Sequence, residues 1–201
     1  MAGDVTESPV MSDARATVLI TWPEWVHDTV AFGTRYATDE DRMRLAIELA
    51  RQNVVRGTGG PFGAAVFERS TGALLSVGVN SVVRLNNSTL HAEMLAIMMA
   101  QHRFGSYTLA GSASEAYELV SSCDPCAMCL GAVLWSGVRR MVTGADREDA
   151  TALSFEEGPV FPQSYAYLEE RGVAISRGVL RQEAAGVLEL YRRQGGQIYN
   201  A

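Results

Sequence analysis

His91-Ala92-Glu93, followed at a distance by Pro125-Cys126-Ala127-Met128-Cys129, is the stretch on which the reading of this chain turns. One imidazole and two thiolates make three ligands suited to Zn2+, with a fourth position left for water, as in an open rather than a closed structural site. Cys126 and Cys129 are three positions apart, so a helix carries both on one face. Asp124 as N-cap and Pro125 as first residue predict that this helix opens at Pro125 and runs to Ser136. Its first-turn N–H groups and positive dipole end favour thiolate over thiol.

Such a site lowers the pKa of a bound water from about 15.7 to around 7. Glu93 is a carboxylate beside that water and is not an obvious ligand. It is suited to take the water's proton and pass it to a ring nitrogen and then to a departing amine. The chemistry that fits is hydrolytic replacement of an exocyclic amine on an aromatic heterocycle. The competing reading is a structural zinc-binding interaction module, with His102 or Cys123 as fourth ligand, which leaves Glu93 and Pro125 without a role. Cys123 otherwise reads as a small buried residue, and Met94, Met98 and Met99 as core filling at helical spacing.

The composition narrows the field. At 201 residues and 47% apolar, the chain builds one filled domain. No apolar run approaches the roughly 20 residues of a membrane span. Met1-Ala2-Gly3-Asp4-Val5 lacks a basic stretch ahead of a hydrophobic segment, so a cytoplasmic location is expected. Three cysteines cannot all pair, and their clustering fits a metal site in a reducing compartment. All 17 basic residues are arginine, which excludes a lysine Schiff base and a phosphate-loop lysine. A formal charge of −6 disfavours nucleic acid as a partner, although a local arginine patch stays open.

Residues 1–23 lack periodicity and predict a mobile extension, followed by a Trp22/Trp25/Val26 segment that docks on the body. Thr38-Asp39-Glu40-Asp41 predicts a capped helix that stops at Gly57. Strands are predicted at 64–68 and 74–79 about the turn Ser70-Thr71-Gly72, at 116–121, at 138–142 and at 173–176. Helices are predicted at 91–103, 163–171 and 181–193. The helix from Pro125 is apolar nearly all round and is expected to be buried. Alternating strands and helices imply a sheet with helices on both faces.

With these residues in hand, the chain resembles the cytidine-deaminase superfamily of zinc aminohydrolases, whose signature is His-x-Glu with Pro-Cys-x-x-Cys. Within it the chain is most similar to the small guanine deaminases, over about Asp39 to Tyr199. The resemblance implies an α/β fold, a three-layer α/β/α sandwich on a mixed sheet of about five strands. It divides the chain into an extension, 1–36, and a catalytic domain, 37–201. It carries over His91, Cys126 and Cys129 as zinc ligands and Glu93 as the catalytic acid–base. Gly59-Gly60-Pro61-Phe62 resembles the family's entry to the first strand, which implies that Phe62 packs on the substrate ring. Asn80 matches an asparagine that bonds a purine, and Ala92 contributes a backbone N–H near the reacting centre. Trp135 matches a pocket tryptophan, Asp149 an aspartate that reads the purine's amine and ring N–H, and Tyr199 a tyrosine that closes the pocket from the partner subunit of a domain-swapped homodimer.

Phe62 and Trp135 also read as plain core residues, Asn80 and Asp149 as turn or cap residues, and Tyr199 as a frayed end. Asn87-Ser88-Thr89-Leu90 departs from the stretch usual before the histidine, and Asn200 and Ala201 follow the tyrosine. The implied activity is deamination of a small heterocyclic amine, guanine to xanthine first. Cytosine, a triazine such as ammeline, a pterin, guanosine and a transfer-RNA adenosine are the alternatives.

Overall fold

The computed structural model describes residues 17–111 and 116–199. The expected mobility of the first residues therefore falls mostly outside the described residues, as do Asn200 and Ala201. Eight helices and five strands are described: α1 Glu24–Thr29, α2 Asp39–Val55, β1 Gly63–Glu68, β2 Leu74–Val79, α3 Val82–Leu85, α4 Ala92–Phe104, β3 Tyr117–Cys123, α5 Ala127–Ser136, β4 Arg140–Ala145, α6 Arg147–Thr151, α7 Pro162–Glu170, β5 Ala174–Ser176 and α8 Arg181–Arg193. The strands form one mixed sheet in the order β2-β1-β3-β4-β5. β1 runs antiparallel to β2 and β3, while β3, β4 and β5 are parallel.

Helices cover both faces, and this is the three-layer α/β/α arrangement. One core joins α2 and α8 to the sheet through Met43, Leu49, Phe67, Val120 and Leu188. The other joins α4, α5 and α7 through Val66, Ala96, Leu119, Val133, Met141 and Leu168. Strands β1 and β3 are buried on both faces and so read as near-continuous apolar runs.

Local contacts fix where α2 and α4 begin. Thr38 Oγ1 accepts the N–H of Asp41 at 3.1 Å and sets the start of α2. Gly78 lets α4 lie directly on β2, since a Cβ there would sit 2.0 Å from the Ala92 carbonyl oxygen. Any side chain at Gly78 would push away the first turn of α4.

The segment before α2 is docked. Trp25 and Val26 are buried, Trp22 Nε1 donates to the Val77 carbonyl at 2.8 Å, and Gly33 and Thr34 exchange backbone bonds with Leu74 at 3.0 and 2.9 Å. Residues of this extension thus cover the open edge of β2, which would otherwise offer unpaired backbone groups.

Two expectations need correction. The helix expected from Pro125 begins at Ala127 with Cys126 as N-cap. Asp124 does not cap it, because its carboxylate is taken by Thr143 Oγ1 at 2.6 Å and by Arg177. Nor is that apolar helix wholly buried: Trp135 is 82% exposed, and Met128, Ala132 and Leu134 are half-buried. The short helices α3 and α6 carry too few turns to show a periodicity in the sequence.

At the end of the sheet remote from the cysteines, Glu118, 1% exposed, accepts from Arg42 and, at 2.9 Å, from Arg140, which also clasps Asp39. Removing the carboxylate charge takes the close partner from the buried Arg42 guanidinium and leaves it only Asp39 at 3.9 Å, at a cost of roughly 3–5 kcal/mol. Urea titration of Glu118→Gln is expected to show a loss of that size. Glu189→Ala, which breaks exposed pairs on α8, is expected to leave the midpoint unchanged.

Candidate active site and metal centre

The carboxyl end of β3 leads into α5, and the end of β2 leads through α3 into α4. Both helices therefore open at the same place. His91 is the N-cap of α4 and Cys126 the N-cap of α5, and neither makes a side-chain cap bond. Glu93 and Cys129 follow in the first turns. The ligand atoms of His91, Cys126 and Cys129 all lie within 4.8 Å of one another, with Cys126 Sγ 3.6 Å from His91 Nδ1.

Among the described residues this is the group able to hold a metal, and it has three members. Cys123 is spent on the Asp146 carbonyl at 3.7 Å, and His102 lies exposed in the last turn of α4. No fourth protein ligand among the described residues closes the sphere, which counts against the structural-zinc reading.

The thiol pair is poised to bind a cation. Cys126 is brought down to about 4, chiefly by the hydrogen bond from Cys129, with His91 and the N–H of Cys129 adding to the effect against burial. Cys129, donating that bond and buried, is raised. Two soft donors, one already a thiolate, together with an imidazole fit zinc.

Around this group lies a small cavity lined by Phe62, Asn80, His91, Glu93, Asp124, Cys126, Glu157 and Tyr199. Its volume is about 10 Å³, room for roughly one water. Glu93 is 6% exposed, and burial, followed by the negative Cys126, raises its carboxyl pKa. Phe155 is the aromatic hub behind the cavity, with ring centroids 5.0 Å from Phe62 and 5.3 Å from Tyr199. Two buried polar atoms in the wall, Asn80 Nδ2 and Tyr199 Oη, have no hydrogen-bond partner. Buried donors are normally satisfied, so this wall has polar capacity left for a ligand.

The structure thus brings His91, Glu93, Cys126, Phe62, Asn80 and Tyr199 to one cavity, with Cys129 behind it and Ala92 buried between ligand and acid. It does not bring in Trp135 or Asp149. Trp135 points to solvent from the last turn of α5. Asp149 closes a capping box with Asp146 and pairs with Arg181 at 2.9 Å, so its carboxylate is already used. Tyr199 reaches its own chain's cavity, 6.5 Å between its ring and that of His91, where a partner's tyrosine was expected.

Where Asp149 stays outside, Glu157 lines the cavity with a carboxyl, and the sequence reading did not single it out. Its carbonyl accepts the N–H of Ala127 at 3.0 Å. Arg147 holds the same loop through the carbonyls of Gly158 and Val160 at 2.9 and 3.1 Å. Burial, then the negative Cys126 and Glu93, pushes its carboxyl up to about 7. An acidic pair before Gly158-Pro159 in a loop carries no periodic signal by which to find it.

Zinc ligands beside a buried carboxyl in a closed, partly polar cavity define a zinc-dependent deaminase, and comparison with known proteins gives the same class. Residues 36–145 match the model of the cytidine and deoxycytidylate deaminase zinc-binding region. The chain is 34% identical over 134 residues to guanine deaminase of Bacillus subtilis, covering 67% of this chain and 81% of that one. It is 31% identical over 129 residues to a tRNA-specific adenosine deaminase of Buchnera aphidicola, covering 64% and 77%. A solved guanine deaminase from Nitrosomonas europaea superposes with a TM-score of 0.83 at 39% identity, covering 88% of this chain and 97% of that one. The chain belongs to the cytidine and deoxycytidylate deaminase family.

The shift at Glu157 has a consequence for stability. Its folded pKa of about 7 lies above the ordinary 4.5, so between those values the folded chain holds the proton more tightly than the unfolded one. This carboxyl therefore costs nothing below pH 4.5 and destabilises increasingly up to about pH 7. In metal-free protein, Glu157→Gln is expected to gain on the parent across that window by up to about 3 kcal/mol, and no further above it. Denaturant midpoints at pH 4.5, 6 and 8 read this directly. A constant difference would mean that the carboxyl titrates normally.

Proposed function

We propose that this chain hydrolyses guanine to xanthine and ammonia. The observation that carries the reading is the pairing of a three-ligand metal site and a buried Glu93 with a cavity whose Asn80 and Tyr199 keep unspent polar atoms. The similarity to two guanine deaminases supports it.

His91, Cys126 and Cys129 would hold zinc. When bound, zinc supplies the Lewis acidity that makes a water nucleophilic near neutral pH. Glu93 takes one proton from the attacking water and delivers it to a ring nitrogen, then takes the second from the new hydroxyl and delivers it to the departing amine. The carbon gains a C–O bond and loses its C–N bond, and ammonia leaves. Phe62 packs on the ring, Asn80 Nδ2 donates to a ring or carbonyl acceptor, and Glu157 faces a ring N–H. Ala92, through its backbone N–H, supports the developing charge. Tyr199 covers the ring and swings out to admit it, since a cavity of about 10 Å³ is too small for a purine.

The catalytic domain is 37–201, and the setting is the cytoplasm. The working form is a homodimer through the outer face of α4 and α5. Met94, Met98, Met128 and Ala132 are half-buried there, Trp135 is exposed, and α5 contains no charged residue. Two chains of net charge −6 meet with least repulsion on such an uncharged face.

An ammonia-release screen of zinc-loaded protein against guanine, guanosine, cytosine, adenine, ammeline, pterins and a transfer-RNA anticodon stem tests the reading. Guanine is expected to lead, and silence on guanine with turnover of another member would refute it. Glu93→Gln is expected to retain zinc while losing on the order of 10²–10⁴ in turnover. Trp135→Glu is expected to yield a folded, zinc-loaded monomer in sedimentation. A parent that is itself monomeric at micromolar concentration would dispose of the dimer.

A further inference from the structure

Asn53 lies on α2, fully buried, and does not line the cavity. Its side chain nevertheless holds the cavity wall. Nδ2 donates to the carbonyls of Gly60 and Asn80, both at 2.9 Å. Oδ1 accepts from Thr58 Oγ1 at 2.7 Å, and that hydroxyl accepts from the indole N–H of Trp25 at 3.0 Å. Both amide protons and the amide oxygen are therefore committed.

The two clamped carbonyls belong to the two segments that carry the wall. Gly60 precedes Phe62 and is the seat of Tyr199, whose hydroxyl would lie 2.6 Å from a Cβ at that position. Asn80 is joined to Phe62 by its own N–H at 3.1 Å and lines the cavity with its Nδ2 unpartnered. The clamp closes tightly, because a Cβ on Gly59 would lie 2.0 Å from the Asn80 carbonyl and 2.7 Å from Asn53 Nδ2. With its carbonyl gripped and its N–H spent, the backbone of Asn80 has little freedom, and its side-chain donor is aimed by that restraint.

We infer that Asn53 is a positioning residue for substrate recognition, and that Trp25, acting through Thr58, completes the clamp. This rests on the reading of Asn80 and Phe62 as substrate contacts. Trp25 precedes the segment matched by the family model, which begins at residue 36. The N-terminal extension is then part of the scaffold of the site and more than a cover for the sheet edge. Losing one buried bond of this kind leaves its partner unsatisfied, and here the loosened partner is the wall that meets the ring.

The test compares zinc-loaded parent with Asn53→Asp, Thr58→Val and Trp25→Phe, and with Leu188→Ala as a core truncation on α8. Asn53→Asp is expected to reduce kcat/KM on the order of 10–100-fold, carried mainly by KM. Thr58→Val and Trp25→Phe follow with about 3–10-fold. Zinc content stays at the parent value, and Leu188→Ala lowers Tm with KM unchanged. Without substrate, amide exchange is expected to quicken at Phe62 and Asn80 and to stay unchanged at Leu130. A parental KM in folded, zinc-loaded variants, an equal rise in KM in Leu188→Ala, or uniformly faster exchange would overturn the inference. Should Asn53→Asp fail to fold, the other two variants decide it. Should guanine prove no substrate, the proposed function fails, while the exchange pattern still judges the clamp.

Discussion

The site depends on two helices that open at one point. An imidazole at the N-cap of α4 and a sulfur at the N-cap of α5 are aimed at each other only because both helices spring from the carboxyl ends of nearby strands. Four residues of the cluster sit in two first turns, where backbone N–H groups have no intrahelical partner. Those groups favour negative charge, and here they stand among thiol and carboxyl groups. The close seat of α4 on Gly78 fixes one opening. The Asp124 carboxylate, tied to Thr143 on β4 and to Arg177 beyond β5, fixes the approach to the other.

The charges around the cavity make sense only with a cation. Glu93, Asp124, Glu157 and Cys126 line it, and no arginine does among the described residues. Arg177 neutralises Asp124 from outside, and Arg147 spends two nitrogens on backbone carbonyls rather than on Glu157. The remaining acids compete for protons, so Glu93 and Glu157 are held up while Cys126 is held down. His91, Cys126 and Cys129 would hold a divalent ion there, whose charge would offset these negative groups.

This arrangement explains which parts of the molecule were legible in the sequence. The metal ligands and Glu93 could be read because their side-chain chemistry is rare and their spacing is set by single helical turns. Helices α2 and α8 could be read from capping and periodicity. The start of α5 was misread because Asp124 looks like a cap in sequence, while its real partners, Thr143 and Arg177, lie 19 and 53 residues away. Asp149 lies in the first turn of the short helix α6 and Glu157 in the loop beyond it, and only the distant Arg181 and the nearby Arg147 decide which one faces the cavity. Trp135 shows the limit of composition: an apolar helix face has the same residues whether it packs on its own sheet or lies open. The clamp through Asn53 was invisible, since an asparagine inside a helix gives no hint of two carbonyls on other segments.

The extension raises the same issue at a larger scale. β2 is the edge strand, yet its inner face seats α4 and its end delivers Asn80. Fraying at that edge would shift a metal ligand, the acid two residues on and the amide donor together. Backbone bonds from Gly33 and Thr34, the Trp22 indole on Val77 and the Trp25 indole on Thr58 restrain this strand along its length, and Arg103 stacks 4.5 Å over Phe32 to tie in the far end of α4. An edge strand that carries part of a reaction centre needs a cover from somewhere in the molecule. In this chain, residues ahead of the family core provide it, and they do so through indole and backbone bonds that a merely greasy contact would not direct.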